Sequence, residues 1–456
     1  MIDMTQDSER KQLLKFAIPA LFGVMIQQSY HVFDRIIVGR FLGEKSLAAV
    51  GNGAQIAVFL AAMATGLTFG STVLISQYFG IKDRAKIKST ISTTYITMAV
   101  IAIIITVIGI LCSRSILLLL RTPMEIIEES TEYLQLIFLG TISMFGYNAT
   151  AAILRGMGDA RTPLLFLLFS VIFSATLNFY FINNLSMGVE GTALASIISQ
   201  TISFVYGLCY LYKNNNFFKL TCKWSRNMIK KIISCVTFDL EIFKKVIGLG
   251  VPTSIQKISV AVGMLVIQMM VNGFGIEVLA GFVSATALEN VVLMPMMEFS
   301  LVVATFTGQN IAAKRMDRVF KGFKIVFWAA VVSSICISVV FYMFVPQMLS
   351  LFLKEGTSGL SFNTGLEYIQ IVAPFLFIAT CQFVVTGVLR GAGDAIFPMV
   401  LTILATLMIR IPVAYFFSTI LGSTGIWWAT PISWIVGCSV SIIYYFHGHW
   451  KKKIVI

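Results

Sequence analysis

The residues able to do chemistry in this 456-residue sequence are a few charged side chains set inside long apolar runs. Asp34 and Arg35 lie in Tyr30-His-Val-Phe-Asp-Arg-Ile-Ile-Val-Gly39; Glu289 and Glu298 share a later run, and Lys257 and Arg410 sit in two others. A charge in hydrocarbon costs about 3 kcal/mol or more, so such residues are functional candidates. A buried carboxylate can take up a proton or Na⁺ and release it when its surroundings change. Asp34 is the first candidate. Neighbours on a helix point about 100° apart, so Arg35 does not face Asp34 and is expected to snorkel. Nine residues turn a helix by about 900°, which puts Glu289 and Glu298 on opposite faces unless Pro295 kinks the helix between them. Glu289, beside Asn290, is the preferred member of the pair. Lys257 and Arg410 could neutralise these carboxylates, and a static Arg410–carboxylate pair is the structural competitor. Asn178 and Ser196, polar groups in apolar runs, could complete an oxygen-lined cation site with Asp34 or could serve as interhelical hydrogen bonds.

Other chemistries lack their residues. There is no Walker motif to bind ATP and no HExxH or GxSxG. An intramembrane transferase would need paired Asp motifs or a membrane histidine, so the chain is not expected to be an enzyme. Seven cysteines (112, 209, 222, 235, 336, 381 and 438) are scattered without a CxxC and read as small packing residues. His447 and His449 flank an interfacial C-terminal tail rather than a metal site. No cofactor is expected beyond a coupling ion, Na⁺ or H⁺, with any metal limited to Na⁺ at Asp34. The 21 methionines and 37 phenylalanines suit loose binding of lipophilic cations, although most must simply face lipid.

The elements that carry these residues are transmembrane helices. Hydrophobic residues make up 57% of the chain and charged ones 12%, half the usual share of a soluble domain, which leaves too little polar surface for water. Apolar segments fall at about 13–41, 47–79, 91–113, 133–154, 162–184, 190–212, 246–272, 279–312, 322–345, 366–389, 396–420 and 425–446. Each must be helical, because lipid offers the backbone no other partner. The segment after the polar N-terminus is expected as a retained first span rather than a signal peptide. With the N-terminus placed in the cytoplasm, 26 of the 34 Lys and Arg residues fall on the cytoplasmic side and five on the other. This predicts twelve spans with both termini cytoplasmic; the expected location is the plasma membrane of a bacterium. The net charge of +13 then reflects anionic lipid, not nucleic acid. Gly66-x-x-x-Gly70 permits a close helix approach.

The chain also repeats itself. Leu154-Arg-Gly-Met-Gly-Asp-Ala160 returns as Leu389-Arg-Gly-Ala-Gly-Asp-Ala395, offset by 235 residues. Pro19 returns as Pro252 and Gln77 as Gln309, offset by 233 and 232. The expected division is an N-lobe at 1–212, a lysine-rich cytoplasmic linker at 213–245 lying partly on the membrane surface, and a C-lobe at 246–456. Six spans is an even number, so both halves enter from the same side and relate by an axis along the membrane normal. Two such lobes around a central site suit alternating access.

Several segments resemble one family, the multidrug and toxic compound extrusion (MATE) transporters. The likeness is carried by Val32-Phe-Asp34-Arg-Ile-Ile-Val-Gly39 with Leu47-Ala-Ala-Val-Gly51, by Gly308-Gln309-Asn310, by the twin Leu-Arg-Gly-x-Gly-Asp loops, by Gly188-Val-Glu-Gly191, and by Gly425-Ile-Trp-Trp-Ala-Thr-Pro431. The resemblance runs in order over essentially the whole chain. It implies a V-shaped pair of six-helix lobes and cation-coupled export of drugs or metabolites; the expected cargo is an amphipathic organic cation, and a self-contained pair of lobes is expected to work as a monomer. It places Asp34 as the N-lobe coupling carboxylate, with Asn178 and Ser196 beside it. Some branches carry an Asp four residues after the fifth-span Asn; Ile182 stands there in this chain. Glu289 and Glu298 could therefore share or take over coupling. A flippase for lipid-linked anionic precursors is the related alternative, but it should show a strongly cationic cavity, and only Lys257 and Arg410 besides Arg35 are available.

Overall fold

A computed structural model describes residues 2–41, 43–119, 122, 124, 126–185, 187–214, 237–350 and 359–455, with the side chains of 28–55 and 212–214 outside the described set. The described residues are almost entirely helical, with no strand among them. The first half runs α1 (Glu9–Phe41), α2 (Gly43–Gly80), α3 (Arg84–Leu119), α4 (Ile127–Gly156), α5 (Arg161–Asn183) and α6 (Val189–Asn214). The second runs α7 (Leu240–Asn272), α8 (Ile276–Ala312), α9 (Met316–Ser350), α10 (Gly359–Val372), α11 (Leu376–Ala392), α12 (Ile396–Ile403), α13 (Ile411–Leu421) and α14 (Ser423–His447). A 3₁₀ turn at Ala373–Phe375 joins α10 and α11 into one span, and a π-helical turn at Leu404–Arg410 joins α12 and α13. Among the described residues eleven helices are long and apolar enough to cross a membrane; α1, 33 residues long, is the twelfth of the pattern.

The helices reach past the apolar segments because a helix is not bound to end where hydrocarbon does. α7 starts at Leu240, so the end of the lysine-rich stretch is helical; residues 215–236 of that stretch lie outside the described residues.

The surface is apolar and much of the interior is polar, the reverse of a soluble protein. Leu111, Met269 and Phe446 are 79%, 70% and 79% exposed, while Gln77, Thr94, Gln309, Asn310 and Ser441 are fully buried. Buried hydroxyls are satisfied locally, Thr68 on the Ala64 carbonyl and Thr94 on that of Thr90, each at 2.7 Å. Such a surface needs lipid around it.

The chain forms two compact units, one of Met1–Asp3 with Phe22–Ser254, the other of Met4–Leu21 with Ile255–Ile456. The changes of unit fall inside helices: α1 passes from the second unit to the first after Leu21, and α7 from the first to the second after Ser254. Each change comes two residues after a proline, Pro19 or Pro252, where the helix lacks one backbone hydrogen bond. In the first unit α4 packs on α2, α3 and α6, and α5 on α6; in the second α8 packs on α9, α10 and α11, and α14 on α11 and α13. The glycine motif of α2 serves the first unit. A Cβ on Gly66 would overlap Ser254, and one on Gly70 would overlap the Val246 carbonyl, so α2 and the start of α7 meet backbone to backbone.

The repeat extends to backbone conformation. Lys82 and Lys314, 232 residues apart, both end a helix in the left-handed region, at φ 60° and 57°. The amides that follow each close the same turn, Asp83 on the Tyr78 carbonyl at 3.1 Å and Arg315 on that of Asn310 at 2.8 Å. Gly158 and Gly393 are left-handed as well, at φ 78° and 108°, and Asp159 and Asp394 behind them are 6% and 4% exposed. Asp159 caps α5 through the Thr162 amide and hydroxyl at 3.0 and 2.8 Å, while Asp394 caps α12 through the Phe397 amide at 3.3 Å and accepts from the Tyr444 hydroxyl at 2.6 Å. These loop carboxylates hold helix starts.

Candidate functional site

The second unit contains a buried carboxylate site built on α8, α10, α14 and the π-helical turn that joins α12 and α13. Glu289 of α8 is 6% exposed, and its Oε2 accepts a 2.6 Å hydrogen bond from the Tyr368 hydroxyl of α10. Arg410 is 8% exposed and acts on Glu289 electrostatically without a direct ion pair between them. Its Nε has no hydrogen-bond partner among the described residues. Thr430 of α14 lies beside the Tyr368 hydroxyl. Phe282 stacks on Trp427 with ring centroids 5.2 Å apart, and Tyr368 stands edge-on to both at 5.4 and 5.3 Å. Trp427 is fully buried, and its Nε1 donates to no partner among the described residues.

Local sequence explains how these groups arrive. Phe282 and Glu289 are seven residues apart on α8, two turns along one face, which brings the aromatic and the carboxylate to the same neighbours. Arg410 closes the π-helical turn, and Pro412 follows it. Proline has no N–H to continue the α-helical ladder, and a wider turn accommodates the gap. Gln256 of α7 donates from Nε2 to the Thr402 hydroxyl at 2.8 Å, and Gly263 lies against Thr406, so α7 braces this irregular segment.

Chemically, the arrangement is a carboxylate held in an apolar aromatic shell, with one hydroxyl donor, one nearby guanidinium and two unused N–H donors. A proton can add to Glu289 without any rearrangement of ligands. A bare metal cation would need several oxygen ligands and would meet the Arg410 charge. Among the described residues no group of three or more His, Cys, Asp or Glu could hold a metal ion.

Glu298 is half-buried and Lys257 exposed. Asn178 of α5 is fully buried, Ser196 of α6 is half-buried, and these two helices pack on each other. Ser174, one turn before Asn178 on the same face, is 2% exposed and extends that polar strip. The side chain of Asp34 lies outside the described residues, as does that of Arg35. His447 and His449 are both exposed. Tyr368, Trp427 and Thr430 were not singled out as site residues. Trp427 and Thr430 stand in the Gly425–Pro431 motif, which was a usable signal; Tyr368 carried none, because its role depends on meeting a residue 79 positions away.

A helical membrane protein with an internal duplication and a buried intramembrane carboxylate has the architecture of a secondary transporter. The comparisons give the family. The MatE family profile matches residues 19–180 and 252–416, once in each half. The chain is 29% identical over 452 residues to the probable multidrug resistance protein YpnP of Bacillus subtilis, covering 98% of this chain and 97% of that protein. It is 23% identical over 465 residues to the probable multidrug resistance protein NorM of Thermotoga maritima, covering 98% and 94%. An outward-facing MATE family transporter of the MOP superfamily superposes with a TM-score of 0.88 at 22% identity, covering 97% and 96% of the two chains. A MOP superfamily transporter from Pyrococcus furiosus, described as having a binding pocket of reversed polarity, superposes at 0.89 with 21% identity, covering 98% and 97%. The chain belongs to the MatE family, and its fold is that of the MATE transporters.

Proposed function

We propose that this protein is a secondary antiporter that exports amphipathic organic cations, with proton binding at Glu289 as a coupling step. The observation that carries the reading is the Tyr368–Glu289 hydrogen bond inside a nearly water-free shell with Arg410 at hand. Such a carboxylate holds a proton or a charge depending on what surrounds it, so its protonation can be linked to a change of state. The aromatic faces of Phe282, Trp427 and Tyr368 next to a carboxylate suit a lipophilic cation as the exchanging partner. Relatives named as multidrug resistance and multidrug export proteins support the substrate class.

In this reading the protein is a monomer in a bacterial plasma membrane, with both termini cytoplasmic, in agreement with the distribution of lysine and arginine. The halves 1–212 and 246–456 act as two lobes in alternating access. Asp34, with Asn178 and Ser196, supplies a second coupling site, where Na⁺ is the alternative ion. Glu298, Lys257 and Arg410 remain substrate or coupling candidates of the second half.

Ethidium efflux from proteoliposomes under an imposed H⁺ or Na⁺ gradient tests the proposal, using the wild type, Asp34→Asn and Glu289→Gln. Export under the H⁺ gradient that Glu289→Gln abolishes is the expected result. If only Asp34→Asn fails, coupling lies in the first half. If the wild type moves no dye under either gradient, export of organic cations is wrong, and lipid-linked anionic substrates become the next test.

A further inference from the structure

The polar residues before α1 do not hang free. Met4 is fully buried and Thr5 is 5% exposed, both within the second unit. The Met4 amide donates to Oε1 of Gln309 at 2.9 Å, and Nδ2 of Asn310 donates to the Met4 carbonyl at 3.1 Å. Nη1 of Arg315 donates to the Thr5 carbonyl at 2.6 Å. Nη2 of Arg318 donates to the carbonyls of Met4 and Gln6 at 3.2 and 3.0 Å, its Nη1 pairs with the Glu9 carboxylate at 3.3 Å, and its Nε donates to Oδ1 of Asn310 at 3.2 Å.

Arg318 is 5% exposed, and the N-terminal peptide satisfies two of its three nitrogens. A buried guanidinium stripped of these partners must be rehydrated, which makes a half-docked peptide unstable. The peptide is therefore either docked and dry or undocked and wet. It is also continuous with α1. Asp7 turns the chain at φ 55°, and Nε2 of Gln12 donates to its Oδ2 at 3.2 Å across the first turn.

The first unit holds the start of α7 with the equivalent residue. Lys86, 232 positions before Arg318, pairs with Asp239 at 3.4 Å, with side chains 41% and 27% exposed. Asp239 caps α7 through the amides of Glu241 and Ile242 at 3.0 and 3.2 Å, and its own amide donates to Thr93 at 3.1 Å. A water-exposed pair of this kind holds weakly. The two ties are thus unequal, with the strong, dry one at the start of α1.

We propose that Met4–Glu9 is a latch of the transport cycle: docked on Gln309, Asn310, Arg315 and Arg318 it holds the first part of α1 on the second unit, and it undocks in one of the two access states. This rests on the alternating-access reading above. A helix that belongs to both units must bend or let go when they move, and the docked peptide, which is either docked and dry or undocked and wet, is where α1 can let go in one step. Arg318 is a positioning residue, acting on the cycle through α1.

Labelling of Thr5→Cys by a membrane-impermeant maleimide tests the latch, in full-length protein with the seven native cysteines replaced by serine. The protein is reconstituted in proteoliposomes whose exposed face carries the N-terminus. Without a gradient, labelling is expected to be slow, and Arg318→Ala is expected to speed it by at least about fivefold. Imposing the H⁺ or Na⁺ gradient with ethidium present is expected to raise the rate by a similar factor when Arg318 is intact and to have no effect in Arg318→Ala. Arg318→Lys, which keeps the charge but not the fork, is expected to fall between and serves if the alanine variant does not fold. Labelling that neither gradient alters overturns the proposal, whether or not dye is exported. So does labelling equally fast with and without Arg318. Labelling that follows a gradient while no ethidium moves supports the latch and removes organic-cation export instead.

Discussion

The hydroxyl of Tyr368 donates a 2.6 Å hydrogen bond to Oε2 of Glu289, so α10 and α8 meet through a polar contact set within an apolar aromatic core. Hydrogen bonds to charged groups contribute about 1.5–3 kcal/mol, more than enough to bias which state of a transporter is populated. Tyr368→Phe keeps the ring against Phe282 and Trp427 and removes only the donor. It is expected to slow proton-driven ethidium export by about tenfold, while thermal unfolding in detergent stays within a few degrees of wild type. A variant that exports at the wild-type rate would show that the contact is only structural.

Arg410 offers a separation of packing from charge. Replacing it with methionine leaves Glu289 buried without a nearby cation and is expected to destabilise the protein by about 2 kcal/mol or more. Adding Glu289→Gln to Arg410→Met should restore most of the lost stability, because no unpaired buried charge remains. Melting temperatures of the two single variants and the double variant give the coupling directly.

The crossing of α2 and α7 has no room for a methyl group. Gly70→Ala would press a Cβ into the Val246 carbonyl, a backbone atom that cannot swing aside. A loss of about 1–3 kcal/mol is expected, read as a lower melting temperature and reduced recovery from the membrane. Gly188→Ala is the control: nothing lies within 4 Å of a Cβ there, and the change should stay within about 0.5 kcal/mol.

Asp239, just outside α7, gives a pH dependence. The Ile242 amide foremost, then the Lys86 charge and the Glu241 amide, hold its carboxyl below its ordinary value of 3.8. A lowered folded-state value means that the unfolded chain binds the proton more readily. The contribution of Asp239 is therefore complete above 3.8 and is lost as the pH falls below that through the folded value. Asp239→Asn retains a capping oxygen and removes the titration. Between about pH 5 and about pH 2.5 the melting temperature of the wild type should drop further than that of the variant.

Much of this was legible in one sequence because hydrocarbon imposes a simple rule on it. Each apolar segment had to be helical, and the repeated Pro, Gln and Leu-Arg-Gly-x-Gly-Asp landmarks set the internal register. Glu289 stood out because a carboxylate in an apolar run needs a reason. What it touches did not stand out, since Tyr368 is an ordinary aromatic until α8 and α10 are packed. The change of unit within α1 and α7 was equally hidden: an apolar stripe reads the same whichever neighbour covers it. The peptide before α1 read as a polar tail because its contacts run through backbone carbonyls, which no side-chain pattern records. Asp34, the residue with most weight in the sequence, has its side chain outside the described residues and keeps that standing as a proposal.

The internal repeat has a consequence for how the two copies have diverged. The turns at Lys82 and Lys314 and at Gly158 and Gly393 are still superposable in conformation. The charged chemistry is not. At the repeat offsets, Asp34 corresponds to Ile267 and Glu289 to Ala57. Each copy has kept a carboxylate that the other lacks, on a different helix of the six. On the proposed reading, the duplicated scaffold thus carries two coupling carboxylates at non-equivalent positions, and either one can be altered without touching its counterpart.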